Sequence, residues 1–154
     1  MVKDNKFLHM TVGLPRSGKS TWARKQGMPM VNPDSIRLAM HGKTFYKKLE
    51  DLVWYHAGLA VESLFLAGHQ DVILDATNLL RHKRDEWYGP WKRIFYVFNT
   101  SVEECIKRAI ANNQQDLVSV ISKMAAYNEP VSCPGETDGS VFYFNEHGYE
   151  IKKG

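Results

Sequence analysis

Gly13-Leu14-Pro15-Arg16-Ser17-Gly18-Lys19-Ser20 fills the phosphate-loop pattern G-x-x-x-x-G-K-[ST] at every fixed position. It lies between the apolar run Phe7-Leu8-His9-Met10-Thr11-Val12, which reads as a buried strand, and Ser20-Thr21-Trp22-Ala23-Arg24-Lys25, which opens a helix closed by Gly27. The glycines therefore fall on a strand-to-helix turn. Such a turn lets successive backbone N–H groups converge on a β-phosphate, and the helix N-terminus adds positive potential. Lys19 is expected to reach the β- and γ-phosphates from a solvent-facing loop, and the Ser20 hydroxyl to ligate Mg²⁺. Gly13, Pro15, Arg16, Ser17, Gly18, Lys19, Ser20 and Thr21 form the expected nucleotide cradle.

Working outward, Met28–Asn32 is a short apolar run, and Pro33-Asp34-Ser35 has the chemistry of a helix start. From Tyr46 to Ala67, apolar residues recur at helical spacing until Gly68. Asp71-Val72-Ile73-Leu74-Asp75 is a buried strand ending in a carboxylate, and Asn78 can cap a helix that runs to Gly89-Pro90. Ile94–Phe98 is a fourth strand, Ser101-Val102-Glu103-Glu104 is a capping box, and a further helix spans about 116–127. Val141–Phe144 and Tyr149–Ile151 read as a small C-terminal β-hairpin. Strands alternating with helices predict an α/β three-layer sandwich of the P-loop NTPase kind, with a mainly parallel sheet and right-handed crossovers.

The 154 residues, 44% of them hydrophobic, suit one domain over 1–154. Lys and Arg total 20 against 17 acids, a mild +3 that fits an anionic substrate without requiring nucleic acid. Cys105 and Cys133 follow no metal-ligand spacing and suggest reduced thiols in a cytoplasm. No membrane-spanning stretch is present in the sequence, so no membrane association is expected.

Open α/β sheets bind ligands beyond the carboxyl ends of their strands, which selects the residues that follow each one. Asp34 and Arg37 follow strand two; Asp75, Thr77 and Asn78 follow strand three; Asn99 and Thr100 follow strand four. Asp34 reads either as a helix cap or as the group that accepts a nucleophile's proton. Asp75 reads as an organiser of Mg²⁺, directly or through water, or as a turn acid. Arg16 and Arg37 are candidate phosphate contacts or solvated residues. Arg81-His82-Lys83-Arg84 places cations on one turn beside the crevice, either as a phosphate-binding patch or as a solvated face. Trp87, Tyr88 and Trp91 fit core positions better than a stacking platform.

Residues 13–24, Asn32-Pro33-Asp34-Ser35-Ile36-Arg37 and Asp75-Ala76-Thr77-Asn78 resemble the kinase domain of phage polynucleotide 5′-kinases and their bacterial relatives, a group related to zeta-toxin-like small kinases. The resemblance implies ATP·Mg²⁺ on Lys19 and Ser20, with Asp34 as general base for a 5′-hydroxyl of DNA or RNA. It also implies Arg37 as an acceptor-side phosphate contact, Asp75 as a metal or substrate organiser, and the cytoplasm of a bacterial or phage-infected cell. Two positions depart from the group's pattern. Ala76 separates Asp75 from Thr77-Asn78, and the lid spacing finds Arg108 but meets Asn112 four residues on. A kinase of a nucleoside-like or other small hydroxyl compound, and a nucleotide-binding regulator without transfer, remain open beside the polynucleotide reading.

Overall fold

The computed structural model describes residues 5–132 and 140–151. Its strands are β1 (Phe7–Val12), β2 (Met30–Val31), β3 (Asp71–Leu74), β4 (Lys92–Phe98), β5 (Val141–Phe144) and β6 (Glu150–Ile151). Its helices are α1 (Lys19–Lys25), α2 (Pro33–His41), α3 (Glu50–Leu66), α4 (Arg81–Asp85), α5 (Val102–Ala111) and α6 (Leu117–Ala126). One six-stranded sheet has the order β2-β3-β1-β4-β5-β6, parallel throughout except for the antiparallel β5–β6 edge. The expected α/β architecture with a mainly parallel sheet is thus present. The C-terminal hairpin does more than fold on itself. Its first strand extends the parallel sheet, pairing Phe95 to Phe98 with Val141 to Phe144.

The middle of the sheet is buried on both faces, which explains why β3 is an apolar run without alternation and why the polar His9 and Thr11 of β1 are buried beside Leu8, Met10 and Val12. Leu8, Met10, Val72, Leu74 and Phe95 join Val61 and Phe65 of α3 in one core. On α3 the buried residues Val53, Ala57, Val61 and Phe65 repeat every fourth position. An aromatic group ties the first helix to the far edge. The Trp22 ring lies 4.3 Å from Tyr96 and 5.8 Å from both Phe98 and Phe144. Trp87 is buried and Trp91 packs against the core, as the aromatic spacing suggests, but Tyr88 is 58% exposed and lies over the Arg93 guanidinium instead. Burial pushes the Tyr96 phenol up to about 12, reinforced by the nearby Asp71 charge. Among the described residues, no helix is long and apolar enough to cross a membrane.

Several expectations change. β2 is only two residues long, and a 3₁₀ turn at Lys47–Leu49 precedes α3, which begins at Glu50 and not at Tyr46. Asn78 caps no helix. Its φ is 46°, its side chain is buried and donates to the Thr11 carbonyl at 2.8 Å, and α4 starts later, after Leu80. α4 also ends at Asp85, well before Gly89. Within the basic turn, Arg84 is fully buried and Nη1 donates to the Asn78 carbonyl at 2.8 Å, so it belongs to neither a phosphate patch nor a solvated face. Only Arg81, His82 and Lys83 stay exposed there. Arg93 is fully buried as well, with its guanidinium 3.6 Å from the Tyr88 ring centroid. Cys105 is a free buried thiol whose pKa burial raises, and Cys133 lies outside the described residues.

Arg84 also reaches the Pro130 carbonyl at 3.4 Å, so it ties the turn after β3 to the chain after α6. Truncating a buried, hydrogen-bonded guanidinium leaves desolvated carbonyls behind. Arg84→Ala should lower the unfolding free energy by about 3 kcal/mol in urea titrations, while Arg81→Ala should change it by less than about 0.5 kcal/mol.

Candidate functional site

The loop Gly13–Gly18 leaves the C-terminal end of β1 with two residues of positive φ, Arg16 at 66° and Gly18 at 103°. Left-handed backbone at a non-glycine costs about 1 kcal/mol, and here it turns amide N–H groups inward as an anion-binding nest. Two contacts hold the strained turn. Thr100 Oγ1 donates to the Ser17 carbonyl at 2.8 Å, and Arg108 Nη1 donates to the Arg16 carbonyl at 3.2 Å. Gly13 is dictated by space: a Cβ there would meet Ser17 Oγ at 2.8 Å and the Phe98 carbonyl at 3.2 Å. Its N–H donates to the Thr77 carbonyl at 2.9 Å, which locks the loop to the turn after β3. Pro15 and Thr21 sit on the rim, half-buried and exposed respectively, and Arg16 is exposed.

Lys19 is not solvent-facing. It is 8% exposed, and its Nζ donates to the Leu14 carbonyl at 2.7 Å. Burial lowers its pKa to about 8, against the opposing pull of the Asp75, Cys105 and Asp34 charges. The ammonium thus sits in a place that disfavours its charge until an anion arrives. Ser17 Oγ is likewise buried and without a hydrogen-bond partner. Both are features of a cradle shaped for a phosphate group.

Asp75 follows β3 and is 3% exposed. Ser20 Oγ donates to its Oδ2 at 2.7 Å and Asn32 Nδ2 donates to the same oxygen at 2.9 Å. Thr11 Oγ1 lies 3.2 Å from Oδ1 and donates more closely to the Ala76 carbonyl, at 2.8 Å. The other end of the Asn32 amide accepts from the Ser35 N–H at 3.2 Å and is the N-cap of α2. Asn32, not Asp34, is therefore the cap, so capping does not explain the carboxylate at 34. That side chain is 80% exposed and lies 2.6 Å from Arg37 Nη1. Arg37 in turn donates Nε and Nη2 to the two oxygens of Glu50, at 2.9 and 2.7 Å. Burial opposes the guanidinium charge, and Glu50 and Asp34 more than offset it, holding its pKa above the ordinary arginine value.

Arg108 closes the other side. Nε donates to Glu104 at 3.1 Å and Nη2 to the Glu146 carbonyl in the β5–β6 turn at 2.6 Å. Asn112 stands at the C-terminal end of α5, exposed, with its amide on the Arg108 carbonyl at 2.8 Å. A cavity of about 180 Å³ lies behind the phosphate loop, between Leu14, Leu79, Phe98, Pro130 and Tyr143, but Lys19, Asp34 and Asp75 do not line it. Among the described residues, no group of three or more His, Cys, Asp or Glu is placed to hold a metal ion. Lys19, Ser20 and Asp75 converge, Asp34 and Arg37 pair beside them through the start of α2, and Arg108 touches the loop from α5. Thr100, selected by its place after strand four, does reach the loop through the Ser17 carbonyl, whereas Asn32 and Glu50 carry roles that sequence reasoning gave to neither. Asn32 is detectable from Asn-Pro-Asp-Ser, a helix start with its cap before proline, whereas Glu50 leaves no local signal.

The chain belongs to the AAA domain family, whose model matches residues 8–129. Its structure is similar to one described as the Pnkp1/Rnl/Hen1 complex, with 32% identity and a TM-score of 0.61 over 68% of this chain and 39% of that one. The chain thus spans well under half of that relative's length. It also resembles a fungal RNA kinase (18% identity, TM-score 0.57, 97% of this chain and 76% of that one). A third likeness is to a gluconokinase from Sinorhizobium meliloti 1021 (18% identity, TM-score 0.54, 92% and 82%). The resemblance read from residues 13–24, 32–37 and 75–78 is borne out as a P-loop kinase-like fold.

Gly13 offers a direct check on the cradle. Gly13→Ala should weaken ATP binding at least about tenfold by isothermal titration calorimetry, because relieving an overpacked contact moves Ser17 and the loop. Unchanged affinity would place the nucleotide elsewhere.

Proposed function

We propose that this chain is an ATP- and Mg²⁺-dependent kinase that transfers a γ-phosphoryl group to the 5′-hydroxyl of DNA or RNA. The observation that carries the reading is the exposed Asp34 carboxylate, aimed by an arginine that Glu50 holds from behind and set beside the phosphate loop. A protein that only binds nucleotide has no need of such an acid.

The residues present fit the nucleotide and its metal. Ser20 and Asp75 supply hard oxygens 2.7 Å apart, the donor chemistry Mg²⁺ takes when phosphates complete its shell, and Ser17 Oγ and Lys19 await an anion. ATP·Mg²⁺ supplies the phosphoryl group and charge neutralisation. The chain's own residues do the rest. Lys19 offsets charge on the phosphate oxygens, and Arg37, held by Glu50, positions Asp34. Asp34 Oδ accepts the hydroxyl proton as the hydroxyl oxygen bonds to the γ-phosphorus and the bond from that phosphorus to the β–γ bridging oxygen breaks, releasing ADP. Arg108, joined to the Arg16 carbonyl, is the cation nearest the loop from the α5 side and takes the place of a lid arginine.

The likenesses to the Pnkp1/Rnl/Hen1 complex and to an RNA kinase support a nucleic-acid acceptor, and the gluconokinase likeness, which covers most of that enzyme, favours a small polyol as the second reading. Incubation with labelled ATP and parallel 5′-hydroxyl oligonucleotides, nucleosides and gluconate separates the two. Labelled oligonucleotide is expected; label on gluconate alone refutes the proposal. Asp34→Asn should lower single-turnover transfer by about 10²-fold or more while leaving the ATP dissociation constant within about twofold. Arg108→Ala should lower the rate of transfer more than it lowers ATP affinity, since a cation used at the transition state contributes there first.

A further inference from the structure

The connection between α2 and α3 plays no part in the site described above, yet its composition is distinctive. From Leu38 to Leu49 it contains Lys43, Lys47 and Lys48 and no acidic residue. Residues 42–48 are all exposed. Two aromatics stand among the lysines, Phe45 at 60% and Tyr46 at 39% exposure. The Lys43 ammonium lies 4.9 Å from the Tyr46 ring centroid, and the His41 ring stands 6.1 Å from that ring at 68° to it. None of this packs a core: neither Phe45 nor Tyr46 belongs to the hydrophobic cluster or packs against it. Further exposed rings and apolar groups continue along α3 at Leu52 and Tyr55.

The position of this strip matters as much as its composition. It leaves the end of α2, about 10 Å along the helix from Asp34 at the usual rise per residue. It returns at Glu50, the residue that grips Arg37. The strip thus runs from the far end of the helix that carries Asp34 and Arg37 to the residue that grips Arg37.

We propose that Lys43, Phe45, Tyr46, Lys47 and Lys48 form a docking strip for single-stranded nucleic acid that delivers its 5′ end to Asp34. The inference rests on the polynucleotide reading above and deepens it, from a 5′-hydroxyl acceptor to one held over several nucleotides. Exposed aromatic faces stack on bases without sequence preference, and interleaved lysines track the phosphates. A sugar or a lone nucleoside would reach Asp34 without touching the strip. The net charge of the segment opposes an acidic protein surface less selectively, but an unsupported phenylalanine between lysines is the pattern of stacking rather than of ion pairing.

The test measures binding directly by fluorescence anisotropy, with 5′-hydroxyl oligodeoxynucleotides and oligoribonucleotides of two to twelve nucleotides and the intact chain. Wild type should bind more tightly as length grows. In Phe45→Ala/Tyr46→Ala that gain should fall at least about tenfold for the twelve-mer. Lys43→Gln/Lys47→Gln/Lys48→Gln should flatten the log–log salt slope by about 2, the release of roughly 0.7 counterion per phosphate contact. A length gain and salt slope that survive in both variants overturn the strip. So does a wild-type dimer in sedimentation equilibrium that the aromatic variant dissociates, with no oligonucleotide bound, which would make the face an interface between copies. The kinase reading fails on a different result, the absence of labelled oligonucleotide in the acceptor panel, whatever the strip binds. Because all five residues are surface groups, circular dichroism of both variants should match wild type.

Discussion

A buried carboxylate holds this site together. Taking Asp75 out of water is costly, and the cost is met by donors from separate elements, Ser20 from the first turn of α1 and Asn32 from the end of β2, with the Thr11 hydroxyl of β1 3.2 Å from its other oxygen. Each donor has a second task. Ser20 follows the lysine of the phosphate loop, and Thr11 closes the turn after β3 through Ala76, accepting from its N–H and donating to its carbonyl. The Asn32 amide is divided between Asp75 and the Ser35 N–H, so the strand-three carboxylate fixes where α2 begins and therefore where Asp34 and Arg37 point. The separation of Asp75 from Thr77-Asn78 by Ala76 does not loosen this arrangement. Thr77 and Asn78 serve β1 and the loop instead, through Gly13 and the Thr11 carbonyl.

How much of this was legible follows from where the information lies. The phosphate loop, β1, β3, β4 and the Ser101 cap are local patterns, and each stands where its residues imply, with Ser101 accepting from the Glu104 N–H at 3.1 Å. The parallel sheet followed from alternation alone. What escaped was decided at a distance. Arg84 and Arg93 are charged, and charge reads as surface, yet both are fully buried because backbone carbonyls of the turn after β3 and of α4 needed donors there. Asn78 looked like a cap because caps and left-handed turns favour the same side chain, and its positive φ resolves which it is. The hairpin's two strands were visible, but the register that lays β5 along β4 spans more than forty residues and leaves no periodicity.

That register also gives the C-terminal segment a task. Placing β5 beside β4 brings the β5–β6 turn to the side of α5, where Glu146 offers its carbonyl to Arg108. One guanidinium then bridges the phosphate loop, its own helix and the sheet edge, and the Phe98–Phe144 stack, at 5.0 Å between centroids, stiffens the strand pair beneath it. Arg108 is thus oriented by three partners, and Asn112, where the lid spacing would place a second arginine, closes the end of α5 on the Arg108 carbonyl.

The same economy appears in the charges. Lys19 is held near a pKa of about 8 by desolvation, while Arg37 is stabilised by two carboxylates. The two cations therefore behave differently toward an incoming phosphate. Lys19 gains from any anion that enters the nest, because that anion restores what burial removed. Arg37 is already satisfied and gains little, so it acts by geometry, keeping Asp34 in place. The under-compensated cation thus belongs to the phosphate loop and the saturated one to α2, two elements that Asp75 joins through Ser20 and Asn32.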